Sequence, residues 1–237
     1  MKTYIRIVIL SLFILLPFVG NSQILISLLF GEALNSPNIE FGLSGGMNRS
    51  TIYTIDDAEP MNNFDLGFYF HILLKNNSYL STGVHVKSQV GATGMPTYSM
   101  GDPEFDEVYK DATLTKKIPA FYVPILFQQR FAKRWYIELG PQLGLIYKPK
   151  DTFDRSAFDG ELTYTRDVKD EYKHIDAGML GGIGYKFKKE IKSMAVGVNY
   201  YYGLTDISKN PDQSIKNSAV YFYIKIPIGL GKKKEES

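Results

Sequence analysis

The chain contains no cysteine. Disulfides therefore cannot staple it, and thiolate metal sites are excluded. The lipid-modified cysteine of a bacterial lipoprotein is excluded as well. Histidine is scarce, limited to His71, His85 and His174. Neither charge is in excess: 27 Lys and Arg stand against 25 Asp and Glu, a formal net charge of +2, with the basic residues scattered. Nucleic acid would need them gathered on one face, so no nucleic-acid partner is expected. Internal repeats are missing, and low complexity is confined to Lys232-Lys233-Lys234-Glu235-Glu236. Long apolar runs are missing too, with one exception.

That exception is N-terminal. Lys2 and Arg6 precede an apolar stretch from Ile7 to Val19, followed by Gly20, Asn21 and Ser22. A positive flank, a greasy centre and small residues predict a secretory signal peptide over 1–22, cleaved after Ser22. At about 13 residues the run is short of the roughly 20 that span a bilayer as a helix. Residues 23–37 read as a periplasmic segment with a short helix ended by Pro37, residues 38–231 as one barrel domain, and 232–237 as a charged tail.

What the chain has in quantity is Tyr (17), Phe (15) and Gly (21). Aromatics favour strands. Alternation of apolar and polar residues predicts strands at 38–49, 63–75, 79–90, 118–131, 135–147, 174–187, 194–205 and 218–230. Each is about the length a tilted strand needs to cross a bilayer. The connections alternate: long (50–62), short (76–78), long (91–117), short (132–134), long (148–173), short (188–193) and long (206–217). Short periplasmic turns and long extracellular loops are the pattern of a membrane barrel. The expected fold is all-β: an eight-stranded antiparallel up-and-down transmembrane β-barrel.

Alternation alone does not say which face meets water. In 64–90 one face carries Phe64, Leu66, Phe68, Phe70, Ile72, Leu74, Leu80, Thr82, Val84 and Val86; the other carries Asp65, Gly67, Tyr69, His71, Ser81, Gly83, His85, Lys87 and Gln89. The apolar sets of the remaining strands, such as Phe121, Val123, Ile125 and Phe127, hold no charge. A lipid face requires this, since Arg or Lys at the midplane costs about 2–4 kcal/mol. Twelve of the 21 glycines fall on the opposite face: Gly42, Gly46, Gly67, Gly83, Gly140, Gly144, Gly178, Gly182, Gly184, Gly197, Gly203 and Gly229. On a soluble surface, glycine only weakens a strand. Inside an eight-stranded barrel space is tight, and glycine makes room for Tyr69, Lys87, Gln128, Arg130, Tyr201, Tyr221, Tyr223 and Lys225. Trp135, Tyr200 and Tyr202 stand at strand ends, where aromatic girdles belong. Pro124, Pro141 and Pro227 fall inside predicted strands; each removes a ladder hydrogen bond, and each marks either a bulge or a displaced boundary. The last strand ends Ile228-Gly229-Leu230, without the terminal aromatic that many proteobacterial barrels use for assembly.

Six segments, "LLFGEALNSPNIEFGLSGGMN" (28–48), "FYVPILFQQRF" (121–131), "WYIELGPQLGLIY" (135–147), "IDAGMLGGIGYKF" (175–187), "NYYYGLTDI" (199–207) and "VYFYIKIPIGL" (220–230), cover most predicted strands and none of the long loops. Together they resemble the PorT-like family of outer-membrane β-barrels. The resemblance implies an eight-stranded barrel in a Gram-negative outer membrane, a link to protein secretion, and no set of catalytic residues to carry over.

The candidate site is the inward ionisable set: Glu40, Asp65, His71, His85, Lys87, Arg130, Glu138, Asp176, Lys186 and Lys225. Opposite charges in so narrow a lumen are expected to pair and plug it rather than line a pore. A three-residue first turn would set His71 opposite Gly83 and Tyr69 opposite His85. Two histidines fall short of the three or four ligands a metal site gathers. Ser81 and Asp65 share the histidine face, but a triad needs hydrogen-bond contact between nucleophile and base. The acidic stretches "GDPEFDE" (101–107) and "DTFDRSAFDGE" (151–161) lack EF-hand spacing and read as solvated loops. No catalytic residue, metal or cofactor is predicted. The expected function is non-enzymatic: a small outer-membrane protein among membrane lipids, structural or binding envelope or secretion proteins through its long loops. One alternative is a lipid-modifying barrel enzyme, favoured by a lateral gap between strands beside converging His, Ser and Asp. Another is a secreted soluble barrel binding an apolar ligand.

Overall fold

The computed structural model describes residues 36, 38–157, 160–190 and 192–228. The signal peptide, the helix ended by Pro37, Gly229 and the charged tail lie outside the described residues. Ten strands form: β1 (Ile39–Ile52), β2 (Glu59–Lys75), β3 (Ser78–Met95), β4 (Thr113–Phe131), β5 (Trp135–Ile146), β6 (Lys150–Ala157), β7 (Gly160–Asp167), β8 (Ile175–Lys186), β9 (Ala195–Gly203) and β10 (Asn217–Pro227), with one short helix, α1 (Pro103–Val108), between β3 and β4. The sheet order is β3-β2-β1-β10-β9-β8-β5-β4-β6-β7, and an additional β3–β4 pairing closes it. Eight strands therefore make the expected antiparallel ring. The remaining two, β6 and β7, form a hairpin on its rim.

The alternation of faces is visible in burial. Along β5, exposed Trp135, Ile137, Leu139, Leu143 and Leu145 alternate with buried Tyr136, Glu138, Gly140, Gln142 and Gly144. Large apolar side chains stay exposed around the ring, Leu139 and Ile175 at 61% among them. A soluble protein rarely leaves so wide an apolar patch uncovered, which rules out the soluble-barrel alternative. From Trp135 to Leu145 the strand rises roughly 34 Å. At the roughly 40° tilt of such barrels, this is about 26 Å of thickness, matching the apolar band of an outer-membrane protein. Aromatics mark both edges. Trp135 meets Tyr185 edge-on at 5.0 Å. At the other edge Phe121 stacks on Tyr147 at 4.8 Å, and Tyr53 on Tyr202 at 4.8 Å.

Three expectations need correction. The first turn has two residues, not three: Lys75 pairs with Ser78, and Asn76 takes the positive φ of 51° that a tight hairpin requires. A one-residue register shift between Leu73 and Lys75 then sets His71 opposite Ser81, Tyr69 opposite Gly83 and Gly67 opposite His85. The first long loop shrinks to residues 53–58, because β1 and β2 run on above the membrane. The prolines also act differently. Pairing on β3 skips from Thr82/Ile125 to His85/Tyr122, and pairing on β5 skips from Pro124/Gln142 to Phe127/Leu139, yet the register is unchanged across both gaps. Pro124 and Pro141 thus remove ladder bonds without inserting a bulge, and the Thr82 hydroxyl donates to the Pro124 carbonyl at 2.8 Å. Pro227 sits harmlessly at the end of β10, paired with Gly42.

The bulge lies elsewhere. Register shifts between His85 and Ser88 on the β4 side and at Leu66 on the β2 side. One extra residue reverses which face each later side chain takes. Above it Ser88, Val90 and Ala92 turn inward.

Candidate functional site

The interior has two storeys. The lower one, within the membrane, is polar. On β1, buried Glu40 accepts from the Tyr69 hydroxyl at 2.9 Å and from Lys186 Nζ at 2.8 Å. His71 Nδ1 stands 3.2 Å from the same carboxylate. Lys225 Nζ lies 3.3 Å from His71 Nε2 and 3.3 Å from Glu138 Oε2. The imidazole therefore stands between a lysine on one nitrogen and a carboxylate on the other. Glu138 also accepts from Asn199 at 2.7 Å and from the Tyr223 hydroxyl at 3.1 Å. Two carboxylates, two lysines and one histidine thus form a single chain of contacts. Asp65 meets His85 Nδ1 at 2.5 Å.

Two members of the predicted set behave otherwise. Among the described residues, buried Asp176 takes four donors and no cation: Tyr201 at 2.8 Å, Asn217 at 3.0 Å, Tyr122 at 3.1 Å and Thr205 at 3.4 Å. Arg130 lies over the Tyr79 ring at 3.9 Å and meets no acid among the described residues. Lys87 must be corrected outright. The bulge turns it out of the lumen, where it is exposed and sits 5.6 Å from the outward Phe64 ring.

Glycine makes this filling possible. A Cβ on Gly184 would fall 2.1 Å from Tyr136 Cζ, on Gly197 2.3 Å from the Tyr223 oxygen, and on Gly144 2.4 Å from Tyr122 Cε1. Rings from one strand lie flat against bare backbone of the next. A cavity of about 30 Å³ remains beside Asp65, His85, Glu138 and Lys225, room for a water or two but not for a channel.

The upper storey is apolar. Ile52, Val90, Ala92, Ile118, Phe153 and Ile207 are fully buried, and Leu114, Val168, Tyr172 and Ile215 nearly so. The upper end of β4 leaves β5 and pairs with β6, Thr113 opposite Asp154 through Lys117 opposite Lys150. The loop 204–216 folds across the mouth: Ile207 N donates to the Ile215 carbonyl at 3.0 Å, and Lys209 N to the Glu171 carbonyl at 2.9 Å. Within this cap Lys116 and Asp151 pair at 2.6 Å, almost out of solvent. The Tyr98 hydroxyl donates to the same carboxylate at 2.8 Å and accepts from Arg166 at 3.0 Å. Burial, reinforced by the Asp151 charge, pushes the Tyr98 and Tyr172 phenols above their ordinary range. Of the two acidic stretches, residues 103–107 therefore lie in α1 and residues 151–157 in β6. Asp102 caps α1 by accepting from Glu104 N at 2.9 Å, while Asp106 accepts from Met100 N at 2.7 Å. Asp151 is the buried partner of Lys116 rather than a solvated acid.

Sequence reasoning missed the cap. A usable signal was present in the alternation of Leu162 and Tyr164 with Thr163 and Thr165.

No curated protein sequence matches the chain. Among solved structures it is similar to Ail, the attachment invasion locus protein of Yersinia pestis, crystallised with the heparin analogue sucrose octasulfate (10% identity, TM-score 0.43, covering 81% of this chain and 99% of that one). It is also similar to Neisserial surface protein A (9% identity, TM-score 0.38, 81% and 97%) and to OprG of Pseudomonas aeruginosa (12% identity, TM-score 0.34, 80% and 93%). The family model for the outer membrane protein beta-barrel domain matches residues 35–209, from just before β1 past the end of β9. With an apolar band for lipid and a closed ring behind it, the chain is a protein of the outer membrane and belongs to the outer membrane protein beta-barrel domain family.

Proposed function

We propose that this protein is a non-enzymatic, non-conducting barrel that anchors a folded extracellular cap and works by presenting that cap to a partner. The observation that carries this is the double filling of the interior, polar below and apolar above. A barrel built to conduct keeps a path, and one built only to sit in the membrane has no need of a structured mouth. The finer assignment, membership of the PorT-like group with a role accessory to secretion, is supported by the six strand segments quoted above. Capture from detergent-solubilised outer membranes tests the cap. The full chain should retain an envelope protein that a variant lacking 150–167 loses. Equal capture by both would remove the cap from the account. Comparing secreted proteins with and without the gene tests the finer assignment; an unchanged set would defeat it.

One observation favours a second candidate, a lipid-modifying enzyme. The Asp65–His85 pair lies beside the cavity where β3–β4 pairing is interrupted at Pro124. Such a pair could activate a nucleophile, although no serine hydroxyl bonds His85 among the described residues. Mass spectrometry of outer-membrane lipids from wild-type and His85→Asn cells decides. A lipid change between them would overturn the non-enzymatic assignment.

A further inference from the structure

The cap contains a cleft of about 460 Å³, within the range of small-molecule sites. Tyr98 and Ser99 wall one side, Arg166 and Tyr172 another, and loop 204–216 the third, with Lys116 at the floor. Two features point to a ligand. The first is unmet hydrogen bonding. Tyr172 is 2% exposed, lines the cleft, and its hydroxyl has no partner among the described residues; Oδ1 of Asp151, behind Lys116, is likewise unpartnered. A buried polar atom left unpaired costs about 1–3 kcal/mol, a cost that a bound hydroxyl would remove.

The second feature is charge balance. Lys116, Arg166 and Lys209 are offset by Asp170 and Glu171 on the lining and by Asp151 behind it. A cleft selecting a strong anion or cation carries a surplus of the opposite sign. This one instead interleaves donors and acceptors: hydroxyls of Ser99, Ser208 and Tyr172, amides of Asn210 and Gln213, and the carboxylates of the rim. That lining complements a neutral molecule with many hydroxyl groups.

We propose that the cleft binds a short neutral saccharide, with the Tyr172 hydroxyl as its buried anchor. This rests on the cap being the working surface described above. The sugar could come from the outer membrane's own lipopolysaccharide or from glycans outside the cell; both present the same hydroxyl chemistry.

The test uses the full chain in phospholipid nanodiscs, titrated calorimetrically with neutral trisaccharides and with sulfated and amino-sugar counterparts. At least one neutral trisaccharide should bind with a millimolar Kd or tighter, ahead of its charged counterparts. Tyr172→Phe should weaken it about tenfold while heat-modifiable migration stays unchanged. Gln213→Ala, on the rim and away from the core, should weaken it too. Displacement by lipopolysaccharide core sugars would identify the membrane source, and displacement only by free saccharides the external one. No neutral binding, preference for a charged sugar, or indifference to both substitutions overturns the proposal. A Lys209→Cys variant, in a chain otherwise free of cysteine, separates the two layers of inference. Labelling by an impermeant maleimide on intact cells without sugar binding defeats this proposal alone; failure to label defeats the cap's exposure as well.

Discussion

At the scale of single residues, the lumen is governed by what each buried charge touches. Lys225 is the sole cation touching Glu138 among the described residues. Lys225→Met leaves that carboxylate buried and unpaired, a loss of about 3–5 kcal/mol. Combining it with Glu138→Gln should recover much of the loss in urea unfolding from micelles, because the stranded charge goes with its partner. Lys87→Met should be silent by the same measure, since Lys87 lies outside. A cost as large as that of Lys225→Met would put Lys87 back in the network. Gly184→Ala places a methyl where Tyr136 already lies. Overpacking of this kind costs about 1–3 kcal/mol, and heat-modifiable migration should report a lowered transition. Unchanged stability would mean that the ring can yield.

Among elements, the loop 204–216 holds itself closed through one carboxylate. Burial works to raise the Asp206 pKa, but the N–H groups of Ile215 and Ser208, at 2.9 and 3.0 Å, outweigh it and hold the group below the usual aspartate range. A depressed folded pKa stabilises the loop above the unfolded value, and the stabilisation is lost as pH falls through the folded value. Acid should therefore open this loop while the barrel persists. Hydrogen exchange at Ile215 should rise as pH drops below about 4, beyond the intrinsic change, and Asp206→Asn should remove that pH dependence. If exchange in the two proteins tracks together, Asp206 is not the latch.

Elements also show where sequence is legible. The ring strands can be read because period two is enforced on both sides, by lipid outside and by crowding inside. Glycine and tyrosine on one face and hydrocarbon on the other leave little ambiguity at β5, β8, β9 and β10. Lys87 was misplaced because a bulge adds one residue without altering local composition, so alternation continues in the wrong phase. The hairpin β6–β7 was obscured by its acids. Asp151 and Asp154 suggest solvent until Lys116, far away in sequence, is seen to meet one of them. Partnerships across such distances, like Glu40 with Lys186, are set by ring closure and not by any local pattern. Of the ten residues proposed for the lumen, Lys87 alone points elsewhere; which carboxylate meets which cation is fixed only once the ring closes.

For the molecule as a whole, the two storeys are separable. The ring closes through β3–β4 without β6 or β7. A chain lacking 150–167 should still migrate as a heat-modifiable barrel, and in planar bilayers neither it nor the full chain should conduct, because the polar storey blocks by itself. Steps of current from the full chain would refute the plug, and from the shortened chain alone would assign the blockage to the cap.

Two lysine–carboxylate pairs of the lower storey do not follow the circumference. Glu40 on β1 reaches Lys186 on β8, and Glu138 on β5 reaches Lys225 on β10, each spanning three steps of the ring. They act as chords of the circle, resisting flattening in a way that hydrogen bonds along the seams cannot. A cross-section braced in this manner stays round under lateral pressure from lipid, so movement is left to the part of the protein above the membrane.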